Sequence, residues 1–81
     1  MLVLTRRQGE SLRIGNDNKI TVCIICKTQI KLEINDSEVV AIKLQESISI
    51  GDGIKISVEK IKESQVQIGI IAPKDVKIDR E

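Results

Sequence analysis

Two short stretches at opposite ends of this chain hold the residues best suited to chemistry. Arg6 and Arg7 close an apolar opening segment, MLVLTRR, and Pro73 and Arg80 lie in the closing segment, APKDVKIDRE. Arginine offers a planar fork of donors that pairs with phosphate or stacks on a base, and a proline frees neighbouring main-chain groups from a strand ladder. That is binding chemistry. The chain has no histidine and no tyrosine, its carboxylates are scattered over turns and exposed faces, and neither cysteine has a plausible base beside it. No acid–base or nucleophile constellation can be assembled from such a set. The expectation is a protein that is not an enzyme and carries no cofactor.

Cys23 and Cys26 form a C-x-x-C that invites a redox or zinc reading. On a strand, residues three apart point to opposite faces and lie roughly 10 Å apart, beyond the reach of a disulfide unless a bulge intervenes. No histidine and no second cysteine pair exist to complete a metal site. Both are expected to be small buried hydrophobes. Lys60 and Lys62 are read as a solvated face.

The elements that must position these residues are strands. At 81 residues and 9.0 kDa the chain is one small domain, or two very small units sharing a core, and its 41% hydrophobic content includes no Phe, Tyr or Trp. The core must therefore be built from Ile, Val and Leu, which are strand residues. A net charge of +1 neither demands nor excludes a nucleic-acid partner, so binding would need a local basic cluster. No signal peptide and no apolar run approaching a membrane span is present, which points to a cytoplasmic protein without a membrane partner.

Sliding the chain against itself by 36 positions places residues 10–45 over residues 46–81 without a gap. The identities include Glu10/Glu46, Ser11/Ser47, Ile14/Ile50, Gly15/Gly51, Ile20/Ile56, Val22/Val58 and Gln29/Gln65, with Leu12/Ile48 and Leu32/Ile68 as conservative swaps. They fall on apolar faces and turns alike. The two segments read as internal repeats within one domain spanning residues 1–81, the first copy degenerate.

In order, residues 2–7 form a first strand with Leu2, Leu4 and Arg6 on one face, and Gln8-Gly9 turns it. Residues 11–14 form a short strand stopped by Gly15 and the polar Asn16-Asp17-Asn18. Residues 19–26 follow, with a bulge expected near Cys23 because the apolar phase shifts there. Residues 29–34 alternate cleanly. In residues 35–45, Asp36 or Ser37 could cap a helix, but Val40, Ile42 and Leu44 alternate at period two and favour a strand. The second copy repeats the pattern in strands over residues 47–50, 54–62, 65–71 and 76–80, with a tight turn at Gly51-Asp52-Gly53.

Residues 1–9 joined to residues 46–81 resemble a nearly uninterrupted member of the CsrA/RsmA (carbon storage regulator) family of bacterial RNA-binding translational regulators. The resemblance rests on L-x-L-T-R-R-x-G-E, I-x-I-G-D, Q-V-x-I-G-I-x-A-P-K-x-V and the final R-E. It implies an all-β fold of small intertwined antiparallel sheets, a CsrA-like barrel or sandwich, here as a tandem-duplicated pseudo-dimer in one chain. It also implies binding of GGA sequences in RNA hairpin loops of mRNA leaders, to control translation or mRNA stability. The site carried over comprises Leu4, Thr5, Arg6, Arg7, Ala72, Pro73, Val76 and Arg80. The expected partners are mRNA or a small regulatory RNA, and a protein antagonist. The chain departs from the family pattern in its extra 36 residues. The middle strand would have to serve both as one unit's last strand and as the other's first, so one complete binding edge and one degraded edge are expected. A monomeric pseudo-dimer is favoured, with a homodimer carrying an inserted subdomain as the alternative. The competing function is a diverged protein-interaction module or antagonist with little RNA binding.

Overall fold

The computed structural model describes the backbone of residues 1–51 and 53–80, together with all side chains in those ranges except that of Arg80. Asp52 of the expected Gly51-Asp52-Gly53 turn and Glu81 of the final R-E pair lie outside the described residues, as does the Arg80 side chain.

Nine strands follow one another: β1 (Leu2–Arg7), β2 (Ser11–Ile14), β3 (Asn18–Ile25), β4 (Gln29–Ile34), β5 (Glu38–Lys43), β6 (Ser47–Gly51), β7 (Ile54–Lys62), β8 (Gln65–Ile71) and β9 (Ile78–Arg80). They build a four-stranded sheet in the order β1-β8-β7-β6 and a five-stranded sheet in the order β5-β4-β3-β2-β9. Every strand pairing among the described residues is antiparallel. The inward faces interdigitate into a core made wholly of Ile, Leu and Val, with Leu12, Ile20, Leu32, Ile56 and Ile68 fully buried. The radius of gyration, 11.3 Å, matches the roughly 11.7 Å of a single compact body of this length, so the copies share one core. The fold is the all-β tandem pseudo-dimer that the duplication implies.

The 36-position offset governs the geometry. The bulge expected near Cys23 is present as a register shift between Val22 and Ile24, and the same shift recurs between Val58 and Lys60. β1 pairs with β8 through Leu4↔Ile68 and Arg6↔Val66, and β5 pairs with β4 through Leu32↔Val40 and Ile30↔Ile42. Each pair is the other displaced by 36. The links that follow are duplicates as well. Gly9 donates to the Val22 carbonyl at 2.7 Å and Gln45 to that of Val58 at 2.8 Å, while the Glu10 and Glu46 carboxylates accept from the backbone N–H of Arg7 and Lys43 at 2.8 and 3.1 Å. β5 therefore stands where a first strand stands.

Turn chemistry explains the choice. Asn35 and Asp36 both hold positive φ, 55° and 58°, and Ser37 donates back to the Ile34 carbonyl. Asn and Asp tolerate this left-handed region, and a turn with two such residues folds a strand directly back on its predecessor. At the 36-related positions stand Ile71 and Ala72, followed by Pro73, and the chain crosses to the other sheet instead. The middle segment is thus a strand, as its alternation favours, and it is committed to β4. No strand among the described residues pairs with the outer edge of β6.

Two local expectations need correction. Cys26 is exposed and Cys23 only half-buried, both free thiols, because the bulge turns Cys23 sideways and Cys26 ends the strand. The last strand begins at Ile78 rather than at residue 76, since Val76 closes a turn by donating to the Pro73 carbonyl at 3.1 Å.

Candidate nucleic-acid interface

β1 and β9 are edge strands of different sheets. They exchange no ladder bonds with each other; β1 is held by β8, and β9 by β2 through Ile14↔Ile78 and Leu12↔Arg80. Packing contacts run from β1 to β3 and from β6 to β5, so the β1 and β9 edges fall on one side of the sandwich and the β6 and β5 edges on the other. The registers also give the two strands a common direction. β9 ends opposite Leu12, which follows Arg7 through the short link over residues 8–10, so β1 and β9 both run toward the Arg7 end. Arg6, Arg7 and the backbone of Arg80 gather there, while Ala72, Pro73 and Val76 sit toward the opposite end.

The individual residues differ in what they can offer. Leu4 is buried in the core and supports the strand. Thr5 and Arg7 are exposed. Arg6 shares the inward face with Leu4 and is half-buried; its Nη1 donates to the Thr5 carbonyl at 2.6 Å, but Nε and Nη2 are buried without a partner. The 36-related residue is Ile42, 1% exposed. An arginine therefore occupies a core-facing position that the other half fills with isoleucine, and two of its donors are unsatisfied, a state that costs about 1–3 kcal/mol per buried donor. Pro73 is exposed and seated against Gly53, whose φ of 74° favours glycine, and Val76 packs against Gly15.

A further feature was not evident in the linear sequence. A groove of 230 Å³ on the outward face beside Thr5 is lined by Lys60, Lys62, Gln65 and Gln67. The two lysines, expected to be only a solvated face, lie alongside the first strand because β1 docks on β8 and β8 on β7. The signal was the contrast between copies: Ile24 and Cys26 stand at the equivalent places. On the β5 side, Ala41, Ile42 and Lys43 replace Thr5, Arg6 and Arg7.

A model of the CsrA global regulator protein family matches the chain twice, over residues 1–43 and 39–81. The matches share residues 39–43, within β5, the strand claimed by both units. A translational regulator CsrA from Hydrogenovibrio crunogenus is 54% identical over 39 residues, 48% of this chain and 56% of that protein. Its namesake from Geotalea uraniireducens is 49% identical over 39 residues, covering 48% and 49%. The chain spans about half the length of the curated relatives it matches. No solved structure matches it.

Proposed function

Since the chain belongs to the CsrA global regulator family, we propose that it is a sequence-selective RNA-binding post-transcriptional regulator acting in the cytoplasm. It binds GGA-type hairpin loops in mRNA leaders through the side formed by β1 and β9, and so alters translation or mRNA lifetime. The observation that carries this reading is Arg6. A guanidinium held inward with two donors unpartnered destabilises the fold where the duplicate position has isoleucine, and such a local conflict marks a site kept for a ligand. Swinging out toward a phosphate or base edge satisfies those donors.

Unpaired loop bases are read along their edges by side-chain and main-chain groups. With no aromatic residue in the chain, bases have no stacking platform of the usual kind. Main-chain groups around Ala72 and Pro73 and the side chain of Thr5 read the bases, Arg6, Arg7 and Arg80 supply the charge, and Lys60 and Lys62 extend the phosphate track. Leu4 and Val76 hold the two strands in place. Among the described residues the β5 side lacks both the arginines and a last strand, so each chain carries one site.

Titration of a GGA hairpin, followed by fluorescence anisotropy, tests the proposal. One RNA binds per chain, Arg80→Ala weakens binding at least about tenfold, equivalent to about 1.4 kcal/mol, and Lys43→Ala leaves it unchanged. Undetectable binding by the wild-type chain, or affinity that survives loss of Arg80, would sink it.

A further inference from the structure

The outward face of the β1-β8-β7 sheet carries an ordered grid of polar side chains beside the arginine edge. Strand registers set Arg7, Gln65 and Lys62 in one row across three strands, and Thr5, Gln67 and Lys60 in the next. Adjacent strands lie about 4.8 Å apart and residues two apart on a strand about 6.7 Å, so two carboxamides stand in line along β8, each with a cation one strand away. All but Arg7 line the 230 Å³ groove. Gln65 and Gln67 are half-buried and the other four residues exposed, yet none of the six side chains hydrogen-bonds or ion-pairs with a described residue. Nor does a carboxylate line the groove, since that of Glu59, next to Lys60 in the chain, accepts from the Ser57 hydroxyl at 2.5 Å. The fold does not call for this grid. At the 36-related positions the rows read Lys43-Gln29-Cys26 and Ala41-Lys31-Ile24, with Ile24 43% exposed, so the same registers accept an apolar lining.

We propose that this face is a ribose subsite, a role that rests on the RNA-binding reading of the neighbouring edge. The RNA segment flanking the bound loop crosses the sheet along β8; Arg7, Lys60 and Lys62 hold its phosphates, and Thr5, Gln65 and Gln67 hydrogen-bond to ribose 2′-hydroxyls. The chemistry of the grid selects this ligand. A carboxamide and a threonine hydroxyl each donate and accept, as the 2′-hydroxyl does, whereas ammonium and guanidinium groups only donate and suit phosphate. Cations alone would hold the backbone of DNA as well as that of RNA. Three uncharged groups set among them, with no partner in the protein, answer instead to the sugar, the part of the backbone in which the two nucleic acids differ. The alignment of Gln65 and Gln67 along one strand places them under successive sugars of an unstacked segment. The face therefore distinguishes RNA from DNA, while the β1/β9 edge chooses the sequence.

A GGA hairpin carrying single 2′-deoxy substitutions, scanned through the loop and the nucleotides on either side of it, tests the proposal by fluorescence anisotropy on the full chain. Wild-type affinity falls about three- to tenfold at one or two adjacent flanking positions, the size of one lost hydrogen bond. In Gln65→Ala/Gln67→Ala the all-ribose hairpin binds more weakly by a similar factor, and deoxy substitution at those positions costs nothing further. Gln67→Lys, which installs the residue already present at the duplicate position, Lys31, folds normally, keeps its hold on phosphate and loses the sensitivity at one position. Arg80→Ala, which weakens the edge, retains the full deoxy pattern. A wild-type chain that binds the hairpin with no deoxy-sensitive flanking position, or glutamine variants as sensitive as wild type, would overturn the ribose subsite and leave the edge reading standing. A wild-type chain that fails to bind the all-ribose hairpin would overturn both.

Discussion

Replacing Arg6 by isoleucine should make the protein more stable and weaken its proposed RNA binding. The substitution installs the residue already present at the duplicate position, Ile42, which is 1% exposed in the same inward-facing slot of an equivalent strand pair. Two buried donors without partners, Nε and Nη2, disappear. Each such donor costs about 1–3 kcal/mol, and an aliphatic side chain placed on the core gains part of its roughly 1.5–3 kcal/mol of burial. Against these gains stand the Nη1 bond to the Thr5 carbonyl and the apolar contacts of the arginine stem, the bond being worth about 1 kcal/mol. Because Arg6 is only half-buried, the sum is discounted to a net stabilisation of about 1–3 kcal/mol.

For a domain of this size each 1 kcal/mol moves Tm by about 4–8 °C, so the change is readily seen by thermal or urea unfolding monitored by circular dichroism. Hairpin affinity measured on the same preparation should fall at least about tenfold. Arg6→Lys is the informative control: it keeps a charge but lacks the fork, so it should recover neither the stability of isoleucine nor the affinity of arginine. A lower Tm for Arg6→Ile would show that the arginine is a structural residue whose unpartnered atoms cost nothing. Unchanged affinity would remove it from the interface altogether.

The groove beside Thr5 predicts a salt effect. If Lys60 and Lys62 each neutralise one phosphate, the paired change Lys60→Ala/Lys62→Ala should reduce the slope of log affinity against log salt by about 0.7 per lysine, with little loss of sequence preference. The turn that commits β5 to β4 predicts a stability effect. Asn35 sits at φ 55° and its Oδ1 accepts from the Lys19 backbone N–H at 2.8 Å, so Asn35→Val should destabilise by about 2–3 kcal/mol in urea unfolding, combining a strained β-branched residue with a lost bond.

The sequence made the architecture legible wherever the determinants were local and periodic. Alternation set the inward faces, the 36-position offset showed that one pattern had been used twice, and the phase shift at Cys23 located a bulge that recurs at Glu59. The arginines of the candidate site were visible for the same reason, since β5 carries Ile42 and Lys43 where β1 carries Arg6 and Arg7. What stayed hidden depended on contacts between distant strands. Alternation in residues 38–43 could not say whether that strand would join β4 or β6; two dihedral angles at Asn35 and Asp36 decided it, in a segment where Asp36 also suits a helix cap. Nor could linear reading place Lys60 and Lys62 beside Thr5, which requires two successive strand pairings. Cys26 escaped burial because it falls just beyond the end of β3, a boundary that composition does not mark.

Under the proposed function, the two halves amount to an internal comparison of a first strand with and without binding chemistry. In one position the chain reads Leu4-Thr5-Arg6-Arg7, followed by Gly9 at φ 91°; in the other it reads Val40-Ala41-Ile42-Lys43, followed by Gln45 at φ 70°. Both make the same ladder, the same link and the same carboxylate cap from Glu10 or Glu46. Since the backbone is held alike, arginine at position 6 is not required by the fold, and its duplicate position shows the apolar solution that the fold prefers. Strand sharing explains why only one side could keep the alternative. Once the Asn35-Asp36 turn fixes β5 beside β4, no last strand among the described residues stands at β6, and an arginine at position 42 would have no partner edge with which to form a site. Unsatisfied donors there would lower stability without any compensating ligand. On the β1 side the last strand is present in the same chain, so the same destabilisation can be offset whenever a ligand is bound.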